Sequence, residues 1–345
     1  MKKILAPRLL IGLLLGLLAI PAHAQTRALE IPLEQIPNYR QDMRDVLHIL
    51  SAYAHNRDKN FTVLIRDGFE LFSKSKREFI LEEIKDPEGL TFQNRRPIGD
   101  PDLVFLSAVD GVVVDGLHCG EPTMPKEVLD MVRQEKKMIF SIDHCANAQK
   151  AVAAVQAAIG NKEIAHADTD PNGLLDSLPP RGTRPTGENP DNIFSPLVAK
   201  NMLALLDTRK FPQRYDMVME LMGMNHDLLL VDGFHNMRES LTFQDVEMLK
   251  YKLMGSKRLV FARLNVSMAH PSRYYWKTTW RDGEPPWLIE PSRTKRGFYH
   301  TEFWHAEWKR ILGEYFAGLM DLGFHGVVIE GLDGYQYWED LTPLD

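Results

Sequence analysis

Positive charge, cysteine and long apolar runs are all in short supply in this chain. Its 41 lysines and arginines are outnumbered by 47 aspartates and glutamates, for a formal net charge of −6. That balance gives no electrostatic case for binding nucleic acid. Only two cysteines, Cys119 and Cys145, occur in 345 residues, so a single pairing is possible. In an oxidising compartment they can form a disulfide; two buried thiols are the alternative. After residue 24 no apolar run reaches the length of a membrane span. The metal-site spacings His-x-His and His-Glu-x-x-His are missing too.

The first 24 residues are of a different kind. Lys2, Lys3 and Arg8 precede the run "LLIGLLLGLLAI", and the small residues Ala22–Ala24 ("AHA") stand before Gln25. This is the pattern of a secretory signal peptide over residues 1–24, too short and wrongly flanked for an anchor. The expectation is an exported protein, periplasmic or extracellular, with no membrane contact once the leader is removed. Removal takes the net charge from −6 to −9, because Lys2, Lys3 and Arg8 leave with it.

Three separated stretches share one design: "DGVVVDGLHCGEP", "HDLLLVDGFHNMRE" and "HGVVIEGLDGYQYW". Each is an apolar run that ends in an acid followed by glycine. A continuous apolar run suits a strand buried on both faces, and an acid just past its end sits at the rim, where α/β folds bind and react. Ordinary turn chemistry is the bland alternative. Eight strand candidates follow from the same reading, over 61–65, 111–114, 137–142, 163–167, 201–206, 228–231, 259–264 and 326–329. Helical patterns such as "NAQKAVAAVQAAIG" and "HAEWKRILGEYFAGLMDLG" lie between most of them. Strands alternating with helices predict an α/β fold, a single (β/α)8 barrel over residues 25–345. The interval at about 170–195, rich in Pro and Gly, reads as a linker between two halves. No helix is expected after the last strand. The helix pattern at 39–58, ahead of the first strand, is expected to fill that gap.

The residues that end the chain carry a resemblance. "GFHGVVIEGLDGYQYW", "RLNVSMAHPSRYYW", "GFYHTEFWHAEWKRIL" and "HDLLLVDGF" resemble segments of the endo-α-1,4-polygalactosaminidase-like proteins, glycoside hydrolase family 114. These are also labelled cysteinyl-tRNA-synthetase-related extracellular proteins. "MRDVLHILSAYAHNRDKNFTVLIRDGFELF", "VDGVVVDGLHCG" and "KKMIFSIDHC" are similar to the family's later segments, yet here they come first. The order is that of a circular permutant, with the Pro-rich linker joining the family's usual termini. Two departures stand out. The family's Gly-Glu-Ala-Glu loop reads Ser267-Met268-Ala269-His270 here, and its Asp at one strand end is Glu330.

The resemblance implies a hydrolase of an amino-sugar polysaccharide, with no cofactor and no metal. Asp232, Glu330 and Asp333 are the implied catalytic carboxylates. Arg66, Asp67, Asp115, Asp143, Asn265, Arg273, Tyr275, Trp276 and Tyr335 are the implied substrate-binding set. Glycosidic cleavage uses one carboxyl group as acid and another as nucleophile or base. An aromatic wall near Glu330 is expected to raise its pKa for the acid's role. All six tryptophans fall in the last quarter of the chain, where flat rings suit stacking on sugar faces. Two other classes stay open. A non-catalytic carbohydrate-binding barrel needs only the aromatics. A metal-dependent barrel hydrolase would gather His118, His144, His166 and Asp168.

Overall fold

The apolar runs become eight parallel strands: β1 (Thr62–Ile65), β2 (Gly111–Asp115), β3 (Met138–His144), β4 (Ile164–Asp168), β5 (Met202–Leu205), β6 (Leu228–Asp232), β7 (Leu259–Asn265) and β8 (Gly326–Glu330). The structure is a computed structural model that describes residues 31–86 and 95–344. The expected signal peptide lies outside the described residues.

The strands pair in the order β4-β3-β2-β1-β8-β7-β6-β5, which is chain order taken around a ring. The two outer strands, β4 and β5, lie side by side, and the amide of Ala204 donates to His166 Nδ1 across the seam at 3.4 Å. The sheet is thus a nearly closed, all-parallel barrel, consistent with a (β/α)8 fold. Alternation along the strands fills it. Leu64, Val113, Phe140, Ile142, Leu228, Leu230, Phe261 and Val328 meet inside. Their sequence neighbours Val63, Ile65, Val112, Val114, Leu229, Val231, Val327 and Ile329 pack outward under the helices. Burial on both faces is why the runs are continuously apolar. Each such side chain contributes roughly 1.5–3 kcal/mol.

Helix α1 (Tyr39–Arg57) precedes β1 and is capped by Asn38, whose side chain accepts from the Gln41 amide. Further on, α2 (Ala306–Asp321) buries Trp308, Ile311, Leu312, Tyr315, Phe316 and Leu319 at helical spacing. The two helices are neighbours: Tyr53 packs edge-on to Phe316, and Arg57 reaches Asp321 at 2.5 Å. Since β1 pairs with β8, α1 lies where the sequence reading expects it, beside the last strand. Contrary to the same reading, a helix does follow that strand. Helix α3 (Tyr335–Leu341) has seven residues and buries Tyr335, Trp338 and Leu341. Its shortness hid it, because two turns carry too little periodicity to read.

Between β4 and β5 the described chain has no α-helix, only a 3₁₀ turn at Pro196–Val198. The Pro-rich segment there is anchored by two residues that join the barrel-interior cluster, Leu175 and Ile193. The amides of Leu206 and Asp207 both donate to the Leu175 carbonyl. Among the described residues no helix is long and apolar enough to cross a membrane.

Candidate active site

The two-residue alternation that fills the barrel also determines what crowns it. Continuing inward from Leu64, Val113, Ile142, His166, Leu230, Phe261 and Val328 brings Arg66, Asp115, His144, Asp168, Asp232, Arg263 and Glu330 to the C-terminal rim. The top layer is therefore ionic, and its members pair in sequence. Arg66 Nε lies 3.1 and 3.2 Å from the Asp115 carboxylate oxygens, while its Nη1 donates to Glu330 Oε1 at 2.8 Å. Arg263 donates to Asp232 at 3.0 Å. His144 and His166 both meet Asp168, at 2.7 and 3.3 Å.

Glycine explains the acid-glycine endings. Gly331 follows Glu330 with φ of 82°, and a Cβ there would lie 2.7 Å from Asn265 Oδ1. Gly68 has φ of 68°, and its Cβ would lie 2.5 Å from Leu332. Both positions need glycine for conformation and for space. The close approach lets Asp67 accept from the amides of Gly331 and Leu332, at 2.7 and 2.6 Å.

A cleft of about 470 Å³ opens here, with Arg66, Asp67, Asp115, Glu330 and Asp333 on its wall. All five are among the residues the sequence points to. Glu70, Arg263 and Lys295, which line the same space, are not. Arg263 was legible, standing two residues after the inward-facing Phe261. Glu70 and Lys295 arrive on connecting segments that carry no such signal.

The carboxyl groups of the cleft differ in charge preference. Burial works to raise the Glu330 pKa, but Arg66 and Arg263 outweigh it and hold the group below the usual carboxylate range. This corrects the expectation of a raised value: two guanidiniums face Glu330, and neither Tyr275, Trp276 nor Tyr335 lines the cleft. Asp333 goes the other way, raised by burial and by the nearby Glu70 and Glu330, against the pull of Lys295. Asp67 is pushed up to about 7 by burial and by Asp333. Burial also raises Asp115, against the pull of Arg66.

Asp232 occupies a neighbouring, closed position. It is 1% exposed and accepts from Arg273 at 2.9 and 2.8 Å, from Arg263, and from the Phe234 amide at 2.9 Å. Burial would raise its pKa; the two arginines bring it below the usual range. The Arg273 guanidinium also lies near the rings of Phe234 and Tyr315, at 5.0 and 5.7 Å from their centroids. Tyr275 accepts from the His270 amide through its hydroxyl and packs edge-on to Trp308. Trp276 packs against Trp280 and Tyr299. These rings pack into an aromatic cluster in which Trp287 and Trp308 are fully buried.

Three expected site residues are turned to other work. Tyr335 is 0% exposed, with Arg40 over its ring and its hydroxyl on Glu70. Asp143, also 0% exposed, accepts from the amides of His118 and Cys119. Asn265 accepts from the amides of Ser267 and Met268 and so shapes the loop at 267–270. The amides that Asp143 holds belong to the loop tied by the Cys119–Cys145 disulfide, whose Cα atoms are 5.1 Å apart. His118 lies 3.2 Å from Glu163, whereas His144 and His166 have Asp168 as their acid partner. Among the described residues no group of three or more His, Cys, Asp or Glu is disposed to hold a metal ion.

No family model matches the chain. It is similar to uncharacterized proteins of Methanocaldococcus jannaschii (28% identical over 121 residues) and Thermotoga maritima (29% over 120). These matches cover 35% and 34% of this chain, and 34% and 36% of the relatives. A third uncharacterized relative, from Deinococcus radiodurans, is 29% identical over 79 residues, 23% of this chain and 26% of its own. The matched regions thus span about a third or less of the relatives' length.

Proposed function

We propose that the cleft is the active site of an exported glycoside hydrolase acting on an amino-sugar polysaccharide, with Glu330 and Asp333 as its two working carboxyl groups. One observation carries this reading: two carboxyl groups on one cleft wall have environments that push their pKa values apart. Such a pair assigns acid and base roles. Glu330, kept ionised by Arg66 and Arg263, is suited to act as nucleophile or base. Asp333, kept protonated to higher pH, is suited to give its proton to the leaving oxygen. Asp232 then serves as the anchor that fixes Arg263 and Arg273, and Arg263 passes that order on to Glu330.

The wall carries Asp67, Glu70, Asp115, Glu330 and Asp333 against Arg66, Arg263 and Lys295. With Asp333 protonated and Asp67 near its midpoint at neutral pH, the remaining charges nearly balance, so the amino-sugar assignment does not rest on the charge of the cleft. The resemblance of residues 226–338 to the polygalactosaminidase-like family supports the same substrate class. It also makes the chain a circular permutant of that family, with the segment at 170–195 as the joint. Replacement of the family's loop acids at 267–270 is compatible with activity on this account, because both working groups come from β8 and the turn after it. The test is release of reducing ends from a panel of amino-sugar polymers, beside the Glu330→Gln and Asp333→Asn variants. A parent that binds such polymers without cutting them would make the barrel a carbohydrate-binding module instead.

A further inference from the structure

Opposite the candidate site, the N-terminal face of the barrel exposes two apolar segments that are tied to each other. Phe194, Leu197 and Val198, at the end of the Pro-rich segment, are 69%, 79% and 56% exposed. Tyr251, Leu253 and Met254, in the turn before β7, are 45%, 45% and 40% exposed. The Ile193 amide donates to the Lys257 carbonyl, the Lys257 amide to Asn192, and Lys257 Nζ lies 5.6 Å from the Phe194 ring centroid. Scattered single apolar residues need no explanation, but six large ones on one face do.

Lysines surround this patch. Lys136 and Lys137 stand just before β3, Lys162 before β4, Lys200 before β5 and Lys257 before β7, so all five share the face. Beside Leu197 a depression of about 620 Å³ is lined by Arg133, Lys136, Lys137 and Lys162. The acids of the same face are largely engaged: Glu163 with Arg133, Asp227 with Lys252, Asp110 with His55, and Glu188 with Arg184. Glu135, Asp191, Asp58 and Glu220 are the exposed carboxylates near the strand starts that oppose the five lysines.

We propose that this face docks on an anionic lipid surface, the lysines meeting the headgroups while Phe194, Leu197 and Val198 enter the headgroup–acyl boundary. An apolar centre inside a basic rim is the pattern of interfacial binding. The net charge of −9 without Lys2, Lys3 and Arg8 does not oppose it, because screening over about 8 Å leaves the local charges in control. A second copy of the same lysine-rimmed face would meet it with like charge. Docked this way, the chain holds its C-terminal rim, with the cleft, away from the bilayer and open to polymer. This revises the expectation of no membrane contact after leader removal.

The test uses the chain from Gln25 onward, so that the apolar leader does not itself bind lipid. It is sedimented with vesicles of phosphatidylcholine alone and of phosphatidylcholine mixed with phosphatidylglycerol. Binding to the mixed vesicles alone, weakening with salt, is expected. The double variants Phe194→Ser/Leu197→Ser and Lys200→Glu/Lys257→Glu should each lose at least about tenfold in the partition coefficient, with melting temperatures near the parent's. Absence of binding to the anionic vesicles, or binding that both variants keep, would overturn the proposal. So would a concentration-dependent dimer that the same substitutions abolish.

Discussion

Arg66 joins both flanking strands at the rim: from the end of β1 it donates to Glu330 on β8 at 2.8 Å and also grips Asp115 on β2. Glu330 therefore owes its low pKa to a residue 264 positions away in the chain. Arg66→Met should raise the Glu330 pKa by about one unit or more, since an adjacent opposite charge typically supplies one to three. The acid limb of the pH profile of kcat/KM should move up by that amount. A limb that stays in place would show that Glu330 does not govern it.

Asp67 ties stability to pH. Its pKa is raised from 3.8 to about 7 in the folded chain, so the folded state holds a proton that the unfolded state releases. Stability from this group is greatest below the unfolded value and declines as pH rises from about 4 to about 7. Asp333, also raised, adds to the same slope. The melting temperature should fall between pH 5 and pH 7.5, and Asp67→Asn should flatten the fall. The variant gives up one of two amide contacts, at a cost of about 1–3 kcal/mol at low pH.

Asp232→Asn separates anchoring from chemistry. The substitution leaves Arg263 and Arg273 without their buried counter-charge, and breaking such a pair costs about 3–5 kcal/mol. Urea unfolding should show a loss of that order for Asp232→Asn and a smaller one for Asp333→Asn. Equal losses would contradict the anchoring role.

The Cys119–Cys145 bond closes a loop with a sequence separation of 26, and loop closure of that length is worth about 3 kcal/mol. The denatured, unreduced chain should show no free thiol. Cys119→Ser/Cys145→Ser should unfold earlier by about that amount, and the His118–Cys119 amides on Asp143 should exchange faster.

The barrel was readable because burial on both strand faces leaves an unbroken apolar signature, and all eight strands occur within a residue or two of their expected places. The rim was readable in part. Arg66, Asp67, Asp115, Glu330 and Asp333 sit at or beside strand ends, where strand-end position and the family resemblance point to the same residues. What spacing cannot show is who pairs with whom. That Asp232 is closed off by two arginines, and that Glu330 faces guanidiniums rather than an aromatic wall, depends on contacts between strands. A tyrosine near a rim motif looks the same in sequence whether it faces the cleft or, like Tyr335, is buried in the core. Glu70 and Lys295 come from connecting segments without periodicity and left no trace to follow.

The central claim is that Glu330 and Asp333 divide the roles of base and acid in one cleft. The most direct measurement is the pH dependence of reducing-end release from an amino-sugar polymer by the parent, Glu330→Gln and Asp333→Asn. The account predicts a bell-shaped profile for the parent and a loss of at least about 10² in kcat/KM for each variant. A leaving group that needs no proton should rescue Asp333→Asn but not Glu330→Gln. Full activity in both folded variants on a polymer that the parent cuts would contradict it.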